Sequence, residues 1–328
     1  MTGKNACIPQ LPAGALVVII RLRSLGDTVL TTPALAVLKQ QRPDLRIQVV
    51  LEPPWDPLLA GNPDVAGVIR HRGAGTVAAL RLRRPALCLN LHGGTTSAWL
   101  TALSGARWRA GFAHFRWGRV YNVRIPRAQQ ILGRDGEVHT AEHLASAMFY
   151  LGAAPCQIPR ARLYPSRPNP RSHPGPYAVL HVGAAYFTKQ WAPQRFAELA
   201  RWLRSEQALE PVILTGPDQP LPAGLGEFES FGDLDLDRMM ALLREAKLFV
   251  GNDSGPAHVA AAFGVPSVVI FGSSNSRVWY PWRTRGEVVE TAWDCKPCPG
   301  DRCYAFDRPQ CILSVEVEAV RRAVERVL

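Results

Sequence analysis

With 328 residues, 47% of them hydrophobic and 20% charged, the chain has the length of two ordinary domains and enough apolar content to fill their cores, which excludes disorder and collagen. Its mean hydropathy is −0.04, and its longest apolar runs, Gly14 to Ile20 and Val265 to Phe271, fall far short of the ~20 residues of a membrane-spanning helix. The net charge of +11 is lopsided: residues 1–164 carry 20 Lys+Arg against 8 Asp+Glu, the remainder 18 against 19. An anionic surface or substrate is therefore expected at the first half, not along the whole chain.

The opening residues, with Lys4, Pro9 and Pro12 ahead of the first apolar run, lack the long h-region and small-residue cleavage site of a signal peptide, so a cytoplasmic protein is expected. ALVVIIRL then reads as a buried strand, SLGD as a turn, and Thr28–Gln40 as a helix. Asp27 stands at the helix start, where a lone carboxylate is either an N-cap or a general base. The turn matches neither Gly-x-Gly-x-x-Gly nor Gly-x-x-x-x-Gly-Lys-Ser/Thr, so a dinucleotide fingerprint and a P-loop are both unsupported. His92 in LNLHGG follows another short apolar run. Arg107–Arg127 interleaves six arginines, Arg107, Arg109 and Arg116 among them, with Trp108, Phe112, Phe115, Trp117 and Tyr121. His139 and His143 are four apart, but HTAEH lacks Glu directly after the first His, so no zincin is indicated and the pair is expected on one face of a surface helix.

Between Pro155 and Pro176 lie seven prolines, which forbid a regular helix and strip amide donors from any central strand. This segment is the expected interdomain linker. Beyond it, Tyr177–Val182, Pro211–Thr215 and Lys247–Gly251 repeat the pattern of a short β-branched run before a helix, so the whole is expected to be α/β, two doubly wound domains with parallel strands. Lys247–Gly272 carries the most information. Asn252, Asp253 and Ser254 are all able to cap the helix that follows, Pro256 fits its first turn, and Gly264 with Pro266 ends it. Its free amides and positive dipole end make an anion site suited to a diphosphate. Cys295, Cys298, Cys303 and Cys311 fall within 17 residues, but their intervals are not those of a paired zinc knuckle, so reduced structural thiols are expected ahead of structural zinc, and disulfides last. Ser314–Leu328 reads as an amphipathic terminal helix.

RSLGDTVLTTPAL, SGARWRAGF (Ser104–Phe112), TKQWAPQRFAEL (Thr188–Leu199), VGNDSGPAHVAAAFGVPSVVIFG and the cysteine-rich tail together make the chain resemble the ADP-heptose:lipopolysaccharide heptosyltransferases, inverting glycosyltransferases of the GT-B fold. The resemblance implies two Rossmann-like domains facing a central cleft. Residues 1–164 would bind the acceptor and 165–312 the nucleotide-sugar donor, with a helix in 313–328 packing back across the linker. It places the acceptor-side carboxylate on Asp27 and the phosphate-binding lysine on Lys189. The donor loop falls on Asp253, Ser254, Gly255, Pro256 and His258; the acceptor site is expected at Arg23, Gly26, His92, Arg107, Arg109 and Arg116, because the charge of the first half suits an anionic acceptor. Two stretches depart from the family pattern. Ala184 and Ala185 stand where hydroxyl residues often meet the donor phosphates, and Thr215–Pro222 lacks the usual ribose-contacting Glu, leaving Asp218 or Gln219 as substitutes.

The implied reaction moves heptose from an ADP-sugar to the anionic inner core of lipopolysaccharide, with no metal required and peripheral contact with the inner membrane. Two other readings stand beside it. A nucleotide-sugar epimerase has a similar two-domain build. A basic nucleic-acid-binding protein would use the Arg and aromatic interleaving, but no OB or RRM pattern accompanies it and no nucleic-acid partner is expected.

Overall fold

The computed structural model describes residues 6–217 and 219–328. The chain divides into two units, the first running to Tyr164 and the second from Pro165. In the first, β1 (Leu16–Ile20), α1 (Leu25–Gln41), β2 (Arg46–Leu51), β3 (Gly67–Arg70), α2 (Ala74–Arg83), β4 (Leu87–Asn90), α3 (Thr95–Leu103), β5 (Trp108–Phe112), β6 (Val123–Ile125), α4 (Ala128–Leu132) and α5 (Thr140–Tyr150) follow in order. The strands form one parallel sheet, β3-β2-β1-β4-β5-β6. β1 lies at its centre, Val17 opposite Ile47 on one side and Leu87 on the other. It is buried along its whole length, which is why LVVII shows no alternation.

Helix α1 begins three residues before the expected Thr28. Ser24 is its N-cap and Asp27 its third residue, accepting the Ser24 amide at 3.3 Å as in a capping box. Pro33 sits inside this helix and has no amide to give the Val29 carbonyl four residues back. The Thr32 hydroxyl donates to that carbonyl at 2.8 Å instead, so TTP continues a helix that proline alone would weaken.

The second unit runs β7 (Tyr177–His181), a 3-10 turn Phe187–Lys189, α6 (Pro193–Glu206), β8 (Glu210–Leu214), β9 (Glu229–Phe231), α7 (Leu236–Glu245), β10 (Leu248–Asn252), α8 (Gly255–Phe263), β11 (Ser267–Phe271), α9 (Ser276–Trp279), β12 (Gly286–Glu290), α10 (Gln310–Leu313) and α11 (Val317–Val327). Its sheet is again parallel, β12-β11-β10-β7-β8-β9. Both sheets therefore have one order, with the first strand of the unit beside the fourth. The chain winds one way from the first strand and the other way from the fourth, so a crevice opens at their carboxyl ends.

The described residues between Tyr150 and Tyr177 hold no helix or strand, in line with the prolines there. In the terminal helix α11, Val317, Val320, Val324 and Val327 lie in the core of its own unit, against α6, β11 and β12, each valine worth about 1.5–3 kcal/mol. Among the described residues, no helix is long and apolar enough to cross a membrane.

Candidate active site

In the first unit, the switch point lies between β1 and β4. Arg21, directly after β1, donates one guanidinium nitrogen to the Leu91 carbonyl after β4 and another to Asp27 Oδ1. It thus ties the two strand ends together and holds the carboxylate over them. Burial pulls the Arg21 pKa down, and the Asp27 charge opposes this. Asp27 Oδ2 also accepts the Ser24 hydroxyl at 3.2 Å. Asp27 is therefore not the N-cap that the sequence offered as one reading; the cap position belongs to Ser24. Gly26 lies buried in the same turn.

His92 joins this group from the β4 side. Its amide, with that of Gly93, donates to Asn90 Oδ1 at 2.9 and 3.1 Å, and the Asn90 amide group donates to Ser97 Oγ and Tyr121 Oη at 3.0 and 2.8 Å. The imidazole pKa is lowered by burial first, then by Arg21 and Arg23, with Asp27 and Glu52 opposing. Asn90, fully buried, was not singled out from the sequence; a polar residue closing an apolar strand was the available signal.

Other expectations for this unit need correction. Arg107 and Arg109 lie at the amino end of β5, where Trp108 pairs with Leu87 at the start of β4. That is the opposite edge from Asp27, because the strand begins at Trp108. The Arg109 guanidinium is used on the Val120 and Ala106 carbonyls at 3.3 and 3.2 Å. Arg116, after the carboxyl end of β5, lies over Trp117. His139 and His143 do not share a surface face. His139 is the buried N-cap of α5, its Nδ1 accepting the Ala141 amide at 3.1 Å, and His143 stacks on Phe112 with ring centroids 4.0 Å apart. Burial lowers the His143 pKa to about 4, helped by His114 and Arg21.

In the second unit, the switch point lies between β7 and β10, and Lys189 meets Asp253 there, Nζ to Oδ2 2.7 Å. Ser274 donates to the same carboxylate oxygen. Of the three residues able to cap α8, none caps it with a side chain. Asn252 instead clamps the β7 loop, donating to the Val182 and Gly183 carbonyls at 2.9 and 3.3 Å and accepting the Trp191 amide at 3.0 Å. Asp253 goes to Lys189, and the Ser254 hydroxyl bonds His181 Nδ1 at 2.9 Å and the Asn252 carbonyl at 3.1 Å. The first turn of α8, with Gly255, Pro256 and the buried His258, thus keeps its amide end without a side-chain cap, which suits an incoming anion better than the capped helix expected. Burial lowers the His181 pKa to about 4, so its ring is neutral near pH 7.

Beside this loop a cavity of about 570 Å³ is lined by Gly183, Phe187, Gln190, Thr215, Gln219 and Arg308 among others. Gln219 is thus placed at the cavity, while Asp218 lies outside the described residues. Ala184 turns its carbonyl to Gln190 at 2.9 Å. The hydroxyl that reaches Asp253 comes from Ser274, a residue that the sequence did not mark.

Cys295, Cys298, Cys303 and Cys311 line one small cavity with Lys296, Thr188 and Ser273. All four are free thiols, and among the described residues no group of His, Cys, Asp or Glu is arranged to hold a metal ion. The Cys311 pKa is raised by burial.

Two parallel six-stranded units of one strand order are the build of a GT-B glycosyltransferase. Residues 78–305 match the family model for glycosyltransferase family 9 (heptosyltransferase). The chain is 27% identical over 345 residues to lipopolysaccharide heptosyltransferase 3 of Escherichia coli (strain K12), covering 94% of this chain and 96% of that relative. Among solved structures, E. coli ADP-heptose lps heptosyltransferase II is similar with a TM-score of 0.77 at 19% identity, over 95% of this chain and 98% of that one. E. coli heptosyltransferase WaaC with ADP is similar with a TM-score of 0.69 at 18% identity, over 95% and 99%. The chain belongs to glycosyltransferase family 9, the heptosyltransferases.

Proposed function

We propose that the protein transfers heptose from ADP-heptose to the inner core of lipopolysaccharide, a Kdo- or heptose-bearing lipid A, with inversion at the anomeric carbon. The acceptor hydroxyl attacks that carbon while ADP departs, so the reaction needs a base for the hydroxyl proton and positive charge for the diphosphate. Asp27, held by Arg21 and Ser24, is the base, a role worth about 10²–10⁴-fold. Lys189 and the uncapped start of α8 at Gly255 take up the charge growing on the leaving group, so that no metal is required. His258 and Ser254 line the donor loop, and Gln219 and Thr215 border the cavity for the nucleoside. Arg23, His92 and Arg116 serve the anionic acceptor, which is presented at the inner face of the inner membrane.

The observation that carries this reading is the Lys189 ammonium at the switch point of the second sheet, beside a helix start without a side-chain cap. Release of ADP from a panel of ADP- and UDP-sugars, with truncated lipopolysaccharides as acceptors, tests it. ADP-heptose should be consumed only when an acceptor is present. Acceptor-dependent turnover of a UDP-sugar alone, or interconversion of the free nucleotide sugar as by an epimerase, would replace it.

A further inference from the structure

The segment from Val65 to Arg134 contains twelve arginines and no Asp or Glu, and its outer face carries large apolar side chains in water. Trp99 and Leu103 stand one helical turn apart on α3, 52% and 37% exposed. Trp117, 39% exposed, sets its ring 6.4 Å from that of Trp99 and donates Nε1 to Thr95 Oγ1 at 3.0 Å, which fixes it to the first turn of α3. On the neighbouring α2, Leu82 is 83% exposed, and the guanidinium of Arg81 beside it donates to the Leu103 carbonyl at 3.0 Å. The Arg116 guanidinium lies 5.7 Å from the centre of the Trp117 ring.

We infer that this face of the first unit rests on an anionic phospholipid bilayer. Tryptophan rings prefer the headgroup level, where one edge is wet and the rest is not, leucines enter below them, and arginines gain from each anionic headgroup they approach. A second copy of the chain is a poor occupant, since a self-complementary contact would set a segment of twelve arginines and no acids against itself. Single-stranded nucleic acid would use the rings and arginines but gains nothing from Leu82 and Leu103, which do not stack on bases. Thr95 opens α3 just after His92, so the patch starts with Trp117 at the edge of the sheet that bears Asp27 and follows α3 toward the opposite edge, where Leu103 and the end of α2 precede β5 and β4. A lipid-borne acceptor would thus have its sugars at the site and its chains beside the patch; this orientation rests on the function proposed above.

Co-sedimentation with vesicles tests the docking without any turnover. The full chain should bind vesicles of phosphatidylglycerol and phosphatidylethanolamine and not those of phosphatidylcholine alone, and Leu82→Ser/Trp99→Ser should weaken that binding by about tenfold or more with Tm unchanged. Binding unchanged in the double variant, equal binding to phosphatidylcholine, release of bound protein by single-stranded RNA, or a dimer that the variant dissociates would each overturn the inference. In parallel, ADP release should fall in the variant with acceptor embedded in vesicles and stay at the wild-type level with a deacylated, water-soluble acceptor. If neither acceptor supports ADP release while the vesicle difference holds, the bilayer surface stands and the proposed function falls.

Discussion

The two units share one strand order and one switch point, yet each resolves its ion pair in the opposite sense. In the first, the cation is the more buried partner: the Arg21 side chain is 10% exposed and that of Asp27 is 24%. In the second, the anion is: the Asp253 side chain is 7% exposed and that of Lys189 is 22%. The cause is position. Arg21 and Asp253 directly follow β1 and β10, at the ends of central strands, whereas Asp27 lies in a helix turn and Lys189 in a loop turn. The residue in line with the strand is enclosed, and its partner is left facing the crevice. One scaffold therefore presents a carboxylate in one copy and an ammonium in the other, the two charges that the proposed transfer calls for.

Asp27→Asn should give the largest effect. Asparagine still accepts the Ser24 amide through its side-chain oxygen but cannot take a proton near pH 7, so kcat should fall by about 10²-fold or more. Arg21 loses its counter-charge in a buried place, so Tm should fall as well. ADP affinity, which the proposed function assigns to the second unit, should stay at the wild-type value. Turnover within threefold of wild type, measured as initial ADP release, would remove the first unit's carboxylate from the chemistry and break the contrast.

Lys189→Ala probes the opposite pole. It should raise the KM for the sugar nucleotide and lower kcat together, each by about tenfold or more, because the ammonium meets the diphosphate both before and during departure. Stability should drop too, by about 3–5 kcal/mol, since Asp253 is left a buried carboxylate without its cation. Lys189→Arg separates the two effects: it keeps the counter-charge and should restore most of the stability, but only part of kcat, since a planar fork does not occupy the place of a compact ammonium. Kinetics unchanged in both variants, by steady-state assay with Tm recorded alongside, would leave Lys189 a structural partner of Asp253.

What the sequence made legible follows from range. The strands of both sheets are buried apolar runs with turn residues at their ends, and the helix from Gly255 is bounded by Ser254 and Gly264, all signals within a few residues. Asp27 was reached from its place at a helix start, Lys189 through resemblance alone. The pairing of Lys189 with Asp253 was not legible because it spans 64 positions; that of Asp27 with Arg21 spans only six, but Arg21 is aimed there by its other bond, to the Leu91 carbonyl 70 positions on. The role of Ser254 was misread for the same reason: a serine at a helix start is normally a cap, but here the tertiary partner His181 holds it, 73 positions away. The arginines at 107 and 109 look like any basic pair in the sequence. Only the register of β5 against β4 puts them at the wrong edge of the sheet.

Each unit also encloses one histidine held near pKa 4, His143 in the first and His181 in the second. An unfolded histidine titrates near 6.5, so between those values the unfolded chain binds a proton that the folded chain excludes, and the stability gained from neutral histidine is complete above about 6.5 and lost as pH falls toward 4. For His181 the loss at pH 5 relative to pH 7 should be about 2 kcal/mol. Urea unfolding at the two pH values should show it, and His181→Asn and His143→Phe should each remove part of the difference. If one substitution abolishes all of it, acid sensitivity belongs to a single unit.

The smallest effect is expected at the cysteines, which have no counterpart in the first unit. Their segment buttresses the turn that carries Lys189: the Thr188 hydroxyl bonds Ser273 Oγ at 3.1 Å and donates to the Gly300 carbonyl, and the Cys298 amide donates to the Ser273 carbonyl at 3.0 Å. A metal drawn into Cys295, Cys298, Cys303 and Cys311 would pull on that junction and so on Lys189, one residue beyond Thr188. Reduced thiols would leave the junction to its own hydrogen bonds. Protein purified without chelator should therefore contain less than about a tenth of an equivalent of zinc or iron, the level at which a structural site of the usual affinity is excluded. Treatment with EDTA should leave both Tm and the sugar-nucleotide KM in place. A full equivalent of metal, with a KM that rises when it is stripped, would show that the second unit tunes its half-buried lysine through the cysteine segment, a control the first unit does not share.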